Sequence, residues 1–516
     1  MGNTILKEKL VEEISVVRGT FYGSMGVASR IIFLFLANLI LARSLGPASY
    51  GVLSLVFLIV TLGNAIVIMG LDRGLSRFIG RFRADNQKDA LAHTVKSGIV
   101  LSGGLSILFS LLLFIFSSGL AAVFGMPRLS WMLKIISFTF LPAAFIEVVG
   151  SVFQGYENIK ISRAVTSFIP SFLWFFASGL LVFLRKATLL NFCLYYVALT
   201  WLSGIVAFYF LVRSFSNLFR AGALLHSLKE TAFSLFSFCL PLLLFNFLAL
   251  ASVYVDSFLI GYFLDAYKVG IYQVAFRIAR LSPFVFLGLR DVFIPLMSRN
   301  LAQRDLAYES INETYVRVAK WVSALTFLII ITIMVFSDFF VGWFGKEYLE
   351  SSLVLKILLI AYLVYSLFGP TEAMNIALGS TRFVAGYTLL SAVTAAVLNW
   401  IIIPRFGIIG ASWVAVVSIA VMKLVAFIKL YKINRIILFK ASYTSFIVVS
   451  FFGGLLFGFS IFRFINTGLY GILLFIPCFA VFEVFTLKKL GLIDQKDLAL
   501  LKLIFIKGKS FFAGVS

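Results

Sequence analysis

The residues of this chain that could do chemistry are ionised groups set where hydrocarbon is expected. Arg30 stands about ten residues into an apolar run, ~15 Å along a helix rising 1.5 Å per residue. A central arginine costs roughly 2.5–3.5 kcal/mol in a bilayer, so Arg30 is expected to face a wet cavity; a snorkelling or structurally paired arginine is the alternative. Arg277 and Arg280 are three apart, hence on one helix face, and nearer the outer side. For them cavity lining and snorkelling weigh equally. A guanidinium suits a phosphate because its planar fork can hold two oxygens. Glu147, Asp256 and Glu372 also fall in or at the ends of apolar runs, with Asn246 deeper than Asp256. Such carboxylates carry protons or cations in pumps, or they neutralise arginines. Arg73, Arg77 and Arg81 follow i, i+4, i+8 spacing and form a basic stripe if their helix continues. The plainer reading is a headgroup-touching anchor. The other is a cytoplasmic entrance, formed by Arg73 and Arg77, that captures a pyrophosphate.

None of this chemistry is catalytic. Cys193, Cys239 and Cys478 are isolated, and His93 and His226 stand alone, so neither a disulfide framework nor a zinc site is expected. No GxxxxGK[ST] loop occurs, so no nucleotide is hydrolysed by this chain. No metal and no cofactor is expected. The expected role is therefore not that of an enzyme.

The elements that must position these charges are membrane-spanning helices. Of the 516 residues 61% are hydrophobic and 13% charged, with 59 phenylalanines, and mean hydropathy is +1.05. Soluble domains are nearer half apolar and a quarter charged. The apolar runs are long and unbroken, as helices require and barrel strands do not. A span takes roughly 20 residues, and about 14 are read near 20–43, 51–71, 97–118, 131–153, 164–184, 190–212, 239–263, 270–289, 318–337, 353–371, 383–403, 408–430, 442–462 and 468–486. The charged start (Lys7, Glu8, Lys9, Glu12, Glu13) and the length of the first run argue against a cleaved signal.

The net charge of +22 is unevenly spread. Arg73, Arg77, Arg81, Arg83 and Lys88 crowd one loop, Arg290, Arg299, Arg304 and Arg317 another, and Lys429, Lys432, Arg435 and Lys440 a third. Lys488, Lys489, Lys496, Lys502, Lys507 and Lys509 follow in the tail. The intervening loops hold scattered charges such as Arg43, Lys268 and Lys346. The positive-inside rule puts both termini in the cytoplasm. Charge divided among short loops fits topology and anionic headgroups, not nucleic acid.

The second half echoes the first at an offset of about 220 residues. Leu45-Gly46-Pro47-Ala48-Ser49-Tyr50-Gly51 pairs with Leu264-Asp265-Ala266-Tyr267-Lys268-Val269-Gly270, Phe124-Gly125 with Phe344-Gly345, and Gly155 with Gly379. Under this offset Glu147 and Glu372 are nearly equivalent. Six spans per half return each half to its starting side, so a path should lie between them. The expected organisation is a cytoplasmic segment 1–19, an N-lobe 20–225, a C-lobe 226–432, two peripheral helices in 433–487 and a cytoplasmic tail 488–516.

Leu45-Gly46…Tyr50-Gly51, Gly70-Leu71…Arg77-Phe78, Ala377-Leu378-Gly379, Asn399 and Ile403-Pro404-Arg405-Phe406-Gly407-Ile408-Ile409-Gly410-Ala411 give the chain its likeness. It resembles the polysaccharide transporter (Wzx-like oligosaccharide flippase) branch of the multidrug/oligosaccharidyl-lipid/polysaccharide exporter superfamily. The resemblance implies an all-α, MATE-like, V-shaped fold of two pseudo-symmetric six-helix lobes plus two C-terminal helices. It also implies that a polyprenyl-(pyro)phosphate-linked oligosaccharide crosses the plasma membrane by alternating access, with H+ or Na+ as candidate coupling ions. The competing readings are a multidrug/cation antiporter, a peptidoglycan-precursor flippase and, last, a membrane polymerase or ligase.

Overall fold

A computed structural model of the chain describes residues 2–220, 225–283, 293–294, 297–298, 308–439, 441–464 and 469–493. Of these, 2–22, 24, 216–220, 225–230, 308–310, 433–434 and 461–464 are described by backbone alone. Arg290, Arg299, Arg304, Lys440 and the tail lysines from Lys496 onward lie outside the described residues, as do the side chains of His226 and of the charged start.

Every regular element among the described residues is a helix. Eleven are long and apolar enough to span a bilayer, as backbone that must satisfy its own hydrogen bonds requires. Two long helices are each broken at one glycine. α1 (Gly2–Ile68) breaks at Gly46, with φ 72° and ψ 168°, and Pro47 restarts it with the φ that a first helical turn needs. The helix Thr381–Asn434 breaks at Gly407, with φ 58° and ψ −144°. The sequence pattern suggests a short loop at each point; a single residue suffices because glycine reaches positive φ without strain. α2 (Leu71–Ala84) is likewise a restart, after left-handed backbone at Met69 and Gly70. It carries Arg73, Arg77 and Arg81 on one helix.

The chain divides into two compact units, Met1–Ile278 with Val341–Ile357 and Ala385–Ser418, and Ala279–Phe340 with Leu358–Val384 and Ile419–Ser516. The first unit contains a reciprocal backbone crossing. A Cβ on Gly51 would sit 1.7 Å from the Ala266 carbonyl oxygen, and a Cβ on Gly270 would sit 2.1 Å from the Pro47 carbonyl oxygen. The pairs Gly51/Gly270 and Pro47/Ala266 are the equivalents found in the repeat, so the two copies touch here through matching atoms. Small residues permit such contact between membrane helices. The second copy opens its helix Ala266–Ala279 differently: Asp265 Oδ1 accepts from the Lys268 N–H at 2.7 Å, a side-chain cap in place of the Gly-Pro break. Tyr348 braces the crossing by donating to the Ala42 carbonyl at 2.9 Å and meeting Tyr50 edge-on at 6.3 Å. Burial holds its phenol well above the usual range, so it remains a donor. Lys268 and Glu350 form an ion pair nearby.

In the second unit Tyr315 donates to the Phe368 carbonyl at 2.6 Å, and Ser323 and Tyr443 share a hydrogen bond of 2.8 Å. Lys423 is buried, its ammonium 3.6 Å from the Tyr365 ring centroid and 3.3 Å from the Thr371 hydroxyl. The two C-terminal helices, Ala441–Phe464 and Leu469–Lys489, pack through Gly453 and Gly454, whose missing side chains admit Phe482 and Phe479.

The crossing makes a stability prediction. Gly51→Val and Gly270→Val each push a side chain into a backbone carbonyl and should destabilise the protein by about 1–3 kcal/mol. Gly104 and Gly119 meet nothing within 4 Å, so Gly104→Ala and Gly119→Ala should leave the melting temperature in detergent unchanged. Equal melting of all four variants would refute the close approach.

Candidate functional site

Two adjoining cavities lie within the first unit. The first has a volume of about 330 Å³ and is lined from both repeat copies, by Arg30, Asn38, Ser54 and Asn64 of α1, by Glu147, and by Gln273 and Arg277. Arg30 reaches it from the span in which the sequence placed it; it is exposed to the cavity and forms no ion pair among the described residues. Arg277 is half-buried, within electrostatic range of the Tyr50 hydroxyl, and its Nε has no hydrogen-bond partner. Two guanidinium groups against one carboxylate make the lining net positive. Phe57, Trp174 and Tyr196 form one wall, with ring centroids 5.0–5.8 Å apart. Neutral polar atoms complete it, of which Ser54 Oγ and Asn64 Oδ1 are buried and unpartnered. An apolar wall with a few convergent polar groups is the usual form of a small-molecule site.

The second cavity, of about 590 Å³, is lined by Asp72, Arg73, Ser76 and Arg77 of α2, by Glu147 and Gln154 of α5 (Phe140–Gly155), and by Ser162, Arg163 and Thr166. Glu147 and Thr166 belong to both cavities. Glu147 is within electrostatic range of Arg30, Asp72 and Arg163. Arg163 ends a short helix, Ile159–Arg163, which passes into π-helical backbone over Ala164–Phe168. Gly26 lets α1 approach, since a Cβ there would lie 2.7 Å from that of Arg163.

The remaining sequence candidates are dispersed. Arg280 follows the end of its helix, exposed, and does not line the first cavity. Glu372 stands in the first turn of Thr371–Ala377, in the second unit, on neither cavity. Asp256 is buried beside neither Arg30 nor Arg277 as a partner; its oxygens accept from the Tyr272 hydroxyl at 2.8 Å and the Asn399 amide at 2.6 Å. Arg81 points to Asp85, 3.8 Å away on the helix surface. Sequence reasoning missed Arg163 and Asp72. Arg163 lies between apolar runs, where a basic residue attracts no notice, and only the glycines at 26 and 150 hint at close packing around it.

Asp256 supplies a test that separates packing from charge. Asp256→Leu strands the Tyr272 hydroxyl and the Asn399 amide and should cost about 1–3 kcal/mol. Asp256→Asn can still accept from Asn399 and donate to the Tyr272 oxygen, so its thermal unfolding should stay near the parent's. A stable leucine variant would show that the cage around Asp256 carries no load.

Comparison with known proteins adds to the geometry. The sequence model of the family described as polysaccharide biosynthesis protein matches residues 16–301, and that of MatE matches 241–401. A Shigella flexneri protein named as an O-antigen transporter is 22% identical over 78% of this chain and 94% of its own. A Haloferax volcanii protein named as a low-salt glycan biosynthesis flippase is 28% identical over 33% of this chain and 35% of its own. Among solved structures, the lipid II flippase MurJ in an inward closed conformation superposes with a TM-score of 0.65 at 12% identity, over 93% of this chain and 99% of that one. An inward-facing multidrug resistance MATE family transporter gives 0.62 at 17%, over 77% and 93%. At such identities the structures establish a shared fold.

Proposed function

Because the chain belongs to the polysaccharide biosynthesis protein family, we propose that it carries a polyprenyl-(pyro)phosphate-linked oligosaccharide from the cytoplasmic to the outer leaflet of the plasma membrane by alternating access. The observation that carries this reading is the first cavity, to which each repeat copy contributes one arginine, Arg30 and Arg277. Such a cargo has a charged, hydroxyl-rich head that hydrocarbon excludes and a tail that can stay in lipid. The cavity offers the head cationic, hydroxyl and amide groups. The names carried by the relatives support the same cargo class.

On this reading the chain forms fourteen spans in two lobes, with both termini cytoplasmic. The glycine crossing then lies on the outer side, closing the path there, and α2 lies on the inner side with Arg73 and Arg77 at the entrance. Arg280 would touch the cargo only in another state of the cycle. Glu147 and Glu372 are the groups through which H+ or Na+ would bias the two states, which a ligand does only by binding them unequally, unless they serve as charge partners of the arginines; Asp256, held by Tyr272 and Asn399, is the next candidate for that coupling. Two arginines at the site disfavour a cationic drug, so the antiporter reading is set aside.

Two experiments test the proposal. Reporter fusions at Lys268 and Lys346 should read external and a fusion at Arg83 internal; an internal signal at Lys346 overturns the topology. In liposomes with defined lipid-linked glycans, Arg30→Ala should reduce flipping at least tenfold without loss of insertion, and Arg30→Lys should retain part of it. Full activity of the alanine variant would remove Arg30 from the site.

A further inference from the structure

We propose that Arg73, Arg77 and Arg163 form a second anion-binding station, separate from the Arg30–Arg277 cavity, that takes the phosphate groups of the cargo before its sugars enter. The inference rests on the flippase reading and adds to it a division of labour between the two cavities. Three guanidinium groups from two different helices line one space, against two carboxylates, Asp72 and Glu147. None of the three arginines forms an ion pair among the described residues. Arg77 rests on the Phe238 ring, 4.9 Å from its centroid, which steadies the side chain and leaves its N–H fork available. Asp72 Oδ1 is buried without a hydrogen-bond partner; Glu147 is within electrostatic range of Arg163, and the three cations outnumber the two acids.

The serines of this cavity are already spent on the backbone. Ser76 donates to the Asp72 carbonyl at 2.7 Å, Ser151 to the Glu147 carbonyl at 2.7 Å, and Ser162 to the Gly150 carbonyl at 2.8 Å. Phosphate oxygens would find bidentate partners in the three guanidinium groups. The first cavity differs in its aromatic wall, formed by Phe57, Trp174 and Tyr196. Glu147 stands in the wall common to both. Arg30 lies beyond it, within electrostatic range, and draws the phosphate onward.

The probe is polyprenyl pyrophosphate without glycan, titrated into full-length protein in neutral phosphatidylcholine nanodiscs. Arg163→Gln should weaken binding about tenfold with an unchanged melting temperature. Arg163→Lys should fall between, since an ammonium keeps the charge but not the fork. Arg81→Gln, on the helix of Arg73 and Arg77 but turned to Asp85, should change binding of this glycan-free probe by less than about twofold. If Arg163→Gln binds as the parent does, or if Arg81→Gln weakens binding as much, the station is overturned. A second arm replaces the lipid with phosphatidylglycerol. Displacement of the probe from the parent but not from Arg163→Gln, at ordinary membrane content, would make the station a phospholipid headgroup site and overturn its assignment to cargo. The flippase reading fails independently: if no lipid-linked glycan is flipped while pyrophosphate binding depends on Arg163, the station stands and the transport does not.

Discussion

Two backbones in direct contact constrain everything else in the first unit. At Gly51 against Ala266, and at Gly270 against Pro47, no side chain separates the first helices of the two repeat copies. Van der Waals packing is the main attraction available between helices in lipid, where burial of apolar surface gains nothing over the hydrocarbon around it. Close approach therefore has to be built from small residues, and here it is built twice from equivalent ones. The consequence reaches the site. Arg277 lies seven residues beyond Gly270, about 10 Å along the same helix, so the crossing determines where the second copy's arginine meets the cavity that Arg30 enters from the first.

Charge placement follows from that framework. An arginine in a span is tolerated where water or a counter-charge reaches it, and Arg30 and Arg277 have the cavity in common. Asp256 is handled by another means, with neutral donors on both oxygens. Lys423 shows a third solution, an ammonium laid on a tyrosine ring and a hydroxyl inside the second unit. These differing environments suit differing tasks. A group open to a cavity can meet a ligand, and a group sealed by fixed donors holds its helices in register.

Much of this was legible in the sequence, for a physical reason. Arg30, Arg277 and Glu147 stand out because charge in an apolar run is costly, and all three line the first cavity. The repeat was visible in Leu45–Gly51 and Leu264–Gly270, although nothing in the string says that matching residues touch. Asn399 was visible as a family mark, yet its bond to Asp256 spans 143 positions and has no local signature. Arg163 could not be found, because it sits between apolar runs where basic residues are ordinary. Arg73, Arg77 and Arg81 were read as one stripe; the helix carries all three, but Arg73 and Arg77 line the second cavity while Arg81 turns to Asp85.

The π-helical turn at Ala164–Phe168 has a consequence for phase. A π turn holds one residue more than an α turn, so the helix after it is rotated by about 100° relative to an uninterrupted one. Ser171 and Trp174, which line the first cavity from that later helix, owe their facing to this extra residue. Removing a single residue from 164–168 would let the segment close into regular α-helix and swing that lining face around the helix axis, away from the cavity. The length of this turn, counted in residues, thus acts as a key setting which side chains the cavity sees, independently of what those side chains are.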